Sequence, residues 1–425
     1  MRVVVLGAGV VGLAAAYMLV RDGHSVTVLD GEASSGLATS RANGGQLSYS
    51  YVAPFAGPGV VSKVPGWLLD ADGPLRFRPD FSLGQLSWLM GFLRACNATT
   101  AARTTTSLLR LAYLSRDLLH ELVLRESLDF AFARSGKLVV HSDRAGFDAA
   151  RRQMDGQAAL GSEQRALSVA ECLGVEPALT HIAHRLVGGI HTPSEDAGDC
   201  HLFCQGLERL LRHSNFDVRF HFNARVTQLL TAGGRVVGAA TREGVHEGDA
   251  FILAFGNGAR ALAAPLGVDV PIQPLKGYSL TVPISGAAPA ISITDAAAKV
   301  VYARLGASLR IAGMADVVGN DPRFDNRRLD TLLRQARAAF PEASDWRELQ
   351  PWTGLRPATP TGLPLLGPTA RWPNLHLNLG QGSLGFTLAM GCAAIIADVI
   401  AGRPPPIAMD GLSEHDASRR HRRRR

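Results

Sequence analysis

The stretch RVVVLGAGVVGLAAAYMLV, residues 2–20 of a 425-residue chain, carries its most diagnostic pattern. A short apolar strand, residues 2–6, runs into Gly7, Gly9 and Gly12 at G-x-G-x-x-G spacing and then into a helical run, residues 13–20. This is the strand-to-helix turn with which a dinucleotide-binding fold begins. Gly7 permits the tight turn, Gly9 lets backbone approach a pyrophosphate, and Gly12 lets helix pack close on strand. The N–H groups of Val10 and Val11 lie where a helix start offers unpaired donors and a positive dipole end to the diphosphate. A second apolar strand, residues 25–29, ends in Asp30, 18 positions beyond Gly12 and near the spacing of an acid that binds a ribose hydroxyl. A carboxylate there repels a 2′-phosphate, so FAD or NAD is expected over NADP.

Residues 3–20 also form an uncharged stretch 18 residues long between Arg2 and Arg21, the threshold length for a membrane span. A span leaves three glycines at fingerprint spacing and the Asp30 strand unexplained, and no small-residue cleavage site follows. A buried strand and helix, and a cytoplasmic enzyme, are the expectation. Hydrophobic content of 46% with 19% charge describes an ordinary globular chain long enough for two or three domains. Net charge is +7, but six arginines in the last seven residues supply most of it and leave +1 for the rest. Nucleic-acid binding would rest on that tail alone and is discounted. The five cysteines, Cys96, Cys172, Cys200, Cys204 and Cys392, are odd in number and scattered, as in a reducing compartment. Cys200-His201-x-x-Cys204 has no second pair to complete a tetrahedral set, so no metal is expected.

After Asp30 comes a loop of small residues, 31–45, then a Pro/Gly-broken stretch, 52–79, and a largely helical region, 81–134. Short strands are expected at 218–222, 224–230, 236–241 and 248–254, with a Gly233-Gly234 turn, and further strands at 274–283 and 299–314. A helix is expected over 330–340. Residues 250–258 end as the fold began, an apolar strand running into Gly256 and Gly258. Residues 375–379 and the GQGSLG motif, 380–385, repeat the device and open an apolar helix to Ile400.

These segments together resemble the FAD-dependent D-amino-acid dehydrogenases, within the D-amino-acid oxidase and glycine oxidase superfamily. The likeness runs from Met1 to about Arg403 and rests on ATSRANGGQLSYSYVAPFAGPG, DAGDCHLF, PLKGYSLTVPI, YARLGASLRIAGMADVVG, WTGLRPATPTGLPLLG and LNLGQGSLGFTLAMG. It implies an α/β architecture, a Rossmann-like FAD-binding domain from residues 1–53, 187–275 and 350–403 with an inserted α+β substrate domain from residues 54–186 and 276–349, followed by a tail, 404–425. It implies oxidative deamination of D-amino acids to 2-oxo acids and ammonia, by hydride transfer from Cα to flavin N5. Electrons would pass to a quinone or other respiratory-chain acceptor. Two positions depart from the family pattern: Gln381 stands where a histidine is usual, and Phe386 where a tryptophan is common.

No strong protein base is required if the substrate amine arrives neutral, and the cofactor carries the difficult chemistry. The site needs a cation for the substrate carboxylate, and the resemblance gives that role to Arg356, whose planar fork grips two oxygens at once. A structural salt bridge is the competing reading. Tyr278 is the next candidate, against a core tyrosine; Tyr51, Tyr302 and Gln381 are weaker substrate-binding candidates. For the cofactor, Ser40, Asn43, Gly44, Gln46 and Val226 are carried over from the family. Gly256 would give a second backbone approach, and Gly382, Ser383, Leu384 and Gly385 would place N–H groups on the flavin C2 carbonyl. The Arg-rich tail, whose like charges oppose folding, is expected either to touch anionic lipid at the inner face of the membrane or to remain simply solvated. Alternatives are an oxygen-using oxidase of glycine, sarcosine or D-proline type, and a flavin subunit that needs a partner. For the last, residues 52–92, with Trp67 and Trp88, are the expected interface or membrane-docking surface, with ordinary core as the competing reading.

Overall fold

The computed structural model describes residues 1–52, 54–69, 73, 75–80 and 82–413; the Arg-rich end of the tail lies outside them. Two sheets organise the chain. The first has six strands in the order Leu365–Pro368, Leu375–Leu379, Ala250–Leu253, Arg2–Leu6, Ser25–Leu29 and Val218–His221. All its pairings are parallel except that of Leu365–Pro368. Its central strands are nearly continuous apolar runs because both faces are covered. Val3 and Val5 meet a core with the helices Val10–Arg21, Ala98–Arg125, Cys200–His213 and Gly385–Ile400, while Val4 and Leu6 meet Phe251, Leu229 and Val236 on the other side. Residues 3–20 are therefore a buried strand and helix. Gly382–Ile400 is long and apolar enough to cross a membrane, yet two-thirds of it is buried inside the fold, packed between the first helix and Ala98–Arg125.

The second sheet has nine strands and is mostly antiparallel. Its order is Gln350–Ala358, Gln273–Pro283, Ser308–Val317, Val300–Leu305, Ser292–Asp295, Lys137–His141, Gly188–Thr192 and Arg165–Leu167, with Leu75–Phe77 paired to Ser308–Val317. Gly188–Thr192 and Gln350–Ala358 thus belong to this sheet. Residues 187–275 and 350–403, expected together in the cofactor-binding domain, each contribute a strand to this sheet. The back of the sheet is closed by Asn326–Ala339 over Tyr278, Leu280, Tyr302, Ile311 and Phe340.

Most elements lie where periodicity places them. The helical region 81–134 is two helices, Leu83–Ala95 and Ala98–Arg125, broken where the Asn97 side chain accepts the Thr100 N–H and caps the second. The strand expected at 224–230 begins only at Gln228. Residues before it instead follow the end of the second strand, where the Ala224 N–H donates to the Asp30 carbonyl.

Candidate active site

The glycine turn has the geometry its spacing implies. Gly7 has φ +117°, and a Cβ there would meet the Ala254 carbonyl oxygen at 2.8 Å; one on Gly12 would lie 1.9 Å from the Gly7 oxygen. Gly9 has only the Ser40 Oγ near its missing side chain, at 3.5 Å, so this edge of the turn is open. The Ser40 hydroxyl accepts the Val10 N–H at 3.1 Å, and the Val11 carbonyl accepts from Asn378 Nδ2. Asp30 stands at the end of its strand, its carboxylate accepting the N–H groups of Ala8 and Glu32 at 2.6 and 2.8 Å. Val226 packs near its strand end, against the core beneath the first two strands. A pyrophosphate path over Gly9 with an acid beside it fits a dinucleotide.

The segment after Ser40 crosses the front of the second sheet and is pinned there. A Cβ on Gly44 would lie 3.1 Å from Val301 Cγ2, and the Ala42 carbonyl accepts from Ser279 Oγ at 2.7 Å. Asn43 gives its Oδ1 to the Gly45 N–H and its carbonyl to Arg310 Nη1. The Gln46 amide nitrogen donates to the carbonyls of Ile293 and Tyr302, so this side chain ties the segment to the sheet.

The Arg356 strand is where the other pieces converge. The Leu355 carbonyl accepts from Thr39 Oγ1 at 3.0 Å and from Asn257 Nδ2 at 2.9 Å, beside Gly256. Asn257 Oδ1 is buried with no partner among the described residues. Ala358 forms a β-bridge with Gln381 and accepts the Trp88 indole N–H at 2.7 Å. The N-terminal segment, the second glycine turn and the C-terminal motif therefore meet within three residues of Arg356. Its guanidinium lies over Gly277, where a Cβ would fall 2.3 Å from Nη2, and donates from Nη1 to the Met314 carbonyl at 2.8 Å. Met314 has φ +65°, a conformation costly for a side-chain-bearing residue, at an irregular part of the strand pairing. No carboxylate pairs with Arg356 among the described residues, in contrast to Arg310 on Asp199 and Arg328 on Asp316. Burial lowers the Arg356 pKa, and the charge of Asp316 opposes that shift.

Tyr278 and Tyr302 face away from this convergence. Strand alternation puts Gly277 and Ser279 on the front and Tyr278 on the back. There its hydroxyl donates to Asp316 Oδ2 at 3.2 Å, with its pKa raised chiefly by burial. Tyr302 packs edge-on to Phe340 on the same back face. Both are core tyrosines, a correction to their candidacy for the site. Gln381 is buried, its amide nitrogen donating to Asn378 Oδ1 at 2.8 Å. Tyr51 is half-buried, with the Lys137 ammonium 4.2 Å from its ring centre. Gly382, Ser383 and Leu384 form a single 3-10 turn, and the helix from Gly385 has no side-chain cap at its start. Its orphan N–H groups suit a polarised carbonyl. Trp88 is buried rather than displayed; the side chain of Trp67 lies outside the description.

Sequence reasoning missed two groups. Arg310, nearly fully buried, binds Asn43, Thr281 and Asp199, while Asp199 also caps Cys200–His213; it ties the Asn43 segment to the second sheet and to that helix. Lys137, a cation inside the apolar strand KLVVH, donates to Ser48 Oγ at 2.8 Å, and the nearby Glu195 accepts the Ser50 N–H at 2.6 Å. Burial pushes the lysine down and the glutamate up. The sequence signal for both was a charge amid apolar neighbours. Cys200 and Cys204 are buried thiols in the first core.

A profile of the DAO family, described as FAD dependent oxidoreductase, matches residues 2–399. Among relatives, D-amino acid dehydrogenase 2 of Ralstonia nicotianae is 49% identical over 420 residues, 96% of this chain and 98% of that one. D-amino acid dehydrogenase 2 of Pseudomonas aeruginosa is 47% identical, covering 97% of each chain. Among solved structures, glycine oxidase from Geobacillus kaustophilus superposes with a TM-score of 0.77 at 18% identity, over 97% of this chain and 98% of that one. L-proline dehydrogenase from P. horikoshii gives 0.77 at 16%, over 98% of each.

Proposed function

The chain belongs to the FAD dependent oxidoreductase family, and on that premise we propose that Arg356 holds the carboxylate of a D-amino acid for oxidative deamination to a 2-oxo acid and ammonia. The relatives' shared activity supports the reaction. The observation that carries the site is Arg356 itself, a guanidinium without a carboxylate partner among the described residues, where three cofactor-lining segments meet.

FAD is the cofactor, held by Gly7, Gly9, Val10, Val11 and Gly12 at its pyrophosphate, Asp30 at its ribose, and Ser40, Asn43 and Gly44 along its length. Gly256 and residues 382–385 approach from the far side. When bound it supplies a two-electron acceptor for the substrate Cα hydride. The protein's own part is binding and orientation. Arg356 fixes the carboxylate with two parallel hydrogen bonds, and with it the face that Cα presents. Gly277 keeps the guanidinium space clear, and the Met314 carbonyl sets its angle. The uncapped start of Gly385–Ile400 would offer its N–H groups to the cofactor as donors. The imino acid leaves and is hydrolysed by water.

Electrons then go to a quinone or similar respiratory acceptor, with the enzyme at the inner face of the membrane. The test is product balance with purified FAD-loaded protein and an artificial dye: equal 2-oxo acid, ammonia and reduced dye from D-amino acids, with little hydrogen peroxide in air, is expected. Stoichiometric peroxide would indicate an oxidase instead.

A further inference from the structure

The helix Leu83–Ala95 carries two opposite apolar faces. Gln85, Trp88, Phe92 and Ala95 are buried, over a small core that includes Leu275 and Ala358. Leu83, Leu86, Met90 and Leu93, spaced three, four and three apart, are exposed by 86, 58, 44 and 49%. Phe55 and Val61 on the neighbouring segment are exposed by 42 and 47%, and the Phe55 ring lies 5.4 Å from that of Phe92. An apolar stripe of this size on an outward helix face implies something that covers it.

The charges around it choose the cover. No acidic residue occurs from 81 to 116, whereas Arg94, Arg103, Arg110 and Arg116 do. Arg94 is exposed one turn beyond Met90, at one end of the stripe. At the other, the Arg260 guanidinium lies against Gly84, where a Cβ would be 2.0 Å from its Nη1. Aliphatic residues flanked by Arg94 and Arg260, with one acid, Asp80, holding the Ser82 N–H at the helix start, are the composition of a helix lying in a lipid interface. We propose that the outer face of Leu83–Ala95, with Phe55 and Val61, seats in the interfacial layer of an anionic bilayer. This extends the membrane reading given above, narrowing the docking stretch expected at residues 52–92 to one helix face. The Trp88 bond to Ala358 ties the lipid-facing helix to the Arg356 strand, two residues from the guanidinium, and so brings a bilayer-dissolved acceptor near the site.

The test is flotation of the FAD-loaded full chain with phosphatidylglycerol-containing vesicles, beside the L86S/M90S/L93S variant, an R94E variant and a chain ending at His415. All three serines replace exposed side chains, so flavin content and dye-linked activity are expected to match the parent. Vesicle partition is expected to fall about tenfold or more in the triple variant and several-fold in R94E or on pure phosphatidylcholine. Equal partition of triple variant and parent, with loss on removing the tail, would overturn this surface while leaving membrane contact standing. No binding of the parent to any vesicle would overturn both. Loss of a dimer in the triple variant, with no vesicle binding, would mark the stripe as an interface between copies and overturn the lipid assignment.

Discussion

Arg356 differs from the other buried arginines near it in what answers its charge. Arg310 and Arg328 meet aspartates at 3.0 and 2.6 Å, whereas Arg356 has a backbone carbonyl and an open fork. Arg356→Ala is expected to lower kcat/KM for D-amino acids by ~30–150-fold, the worth of about 2–3 kcal/mol of charge-assisted hydrogen bonding, mostly through KM. Arg356→Lys, which keeps the charge but loses the fork, is expected to fall between; steady-state kinetics of the two variants checks this. A second residue-scale prediction concerns His376, buried in the first sheet with its Nδ1 without a partner among the described residues and its pKa pushed down to about 4 by burial. Between that value and the ordinary 6.5, the unfolded chain binds the proton and the folded one does not. Folded-state stability should therefore fall as pH drops from about 6.5 to 4, by about 3 kcal/mol in all from this group. His376→Asn should flatten that part of the Tm-against-pH curve. At this scale the sequence was partly legible. Arg356 stood in a motif, but the sequence left Tyr278 and Tyr302 open between site and core, since which face of a strand looks at a site depends on the sheet that receives it.

At the scale of elements, the turn between the first strand and first helix was readable because its constraint is local: glycine spacing reports how close backbones come. Gly12→Ala puts a methyl 1.9 Å from the Gly7 oxygen, so helix and strand must part. The variant is expected to purify with little bound FAD and a lowered Tm, as flavin absorbance and thermal melting would show. The strand Gln350–Ala358 was not read as a strand in the sequence. Its partner, Gln273–Pro283, is nearly 80 residues away, and no local pattern encodes that pairing. The anchoring by Arg310 was hidden for the same reason, as its partners come from residues 43, 199 and 281.

For the whole molecule, two sheets meet along residues 40–46, with the glycine turn at the end of the first and Arg356 on the second. The architecture was legible in outline because the family's motifs lie at these junctions; the lipid-facing stripe was legible only as the broad stretch 52–92, since helical spacing alone does not say which of two apolar faces is inside. If electrons leave through a membrane acceptor, washed membranes supplied with the enzyme and a D-amino acid should consume oxygen, and an inhibitor of the quinol oxidase should stop it while dye reduction continues. The most direct measurement is anaerobic bleaching of the bound flavin by a panel of D- and L-amino acids, in the parent and in Arg356→Ala. The expected result is bleaching by D-amino acids, with the variant needing far more substrate for the same rate. Flavin that no D-amino acid reduces, or a variant reduced as readily as the parent, would contradict the assignment of Arg356 as the carboxylate clamp of a D-amino-acid-oxidising site.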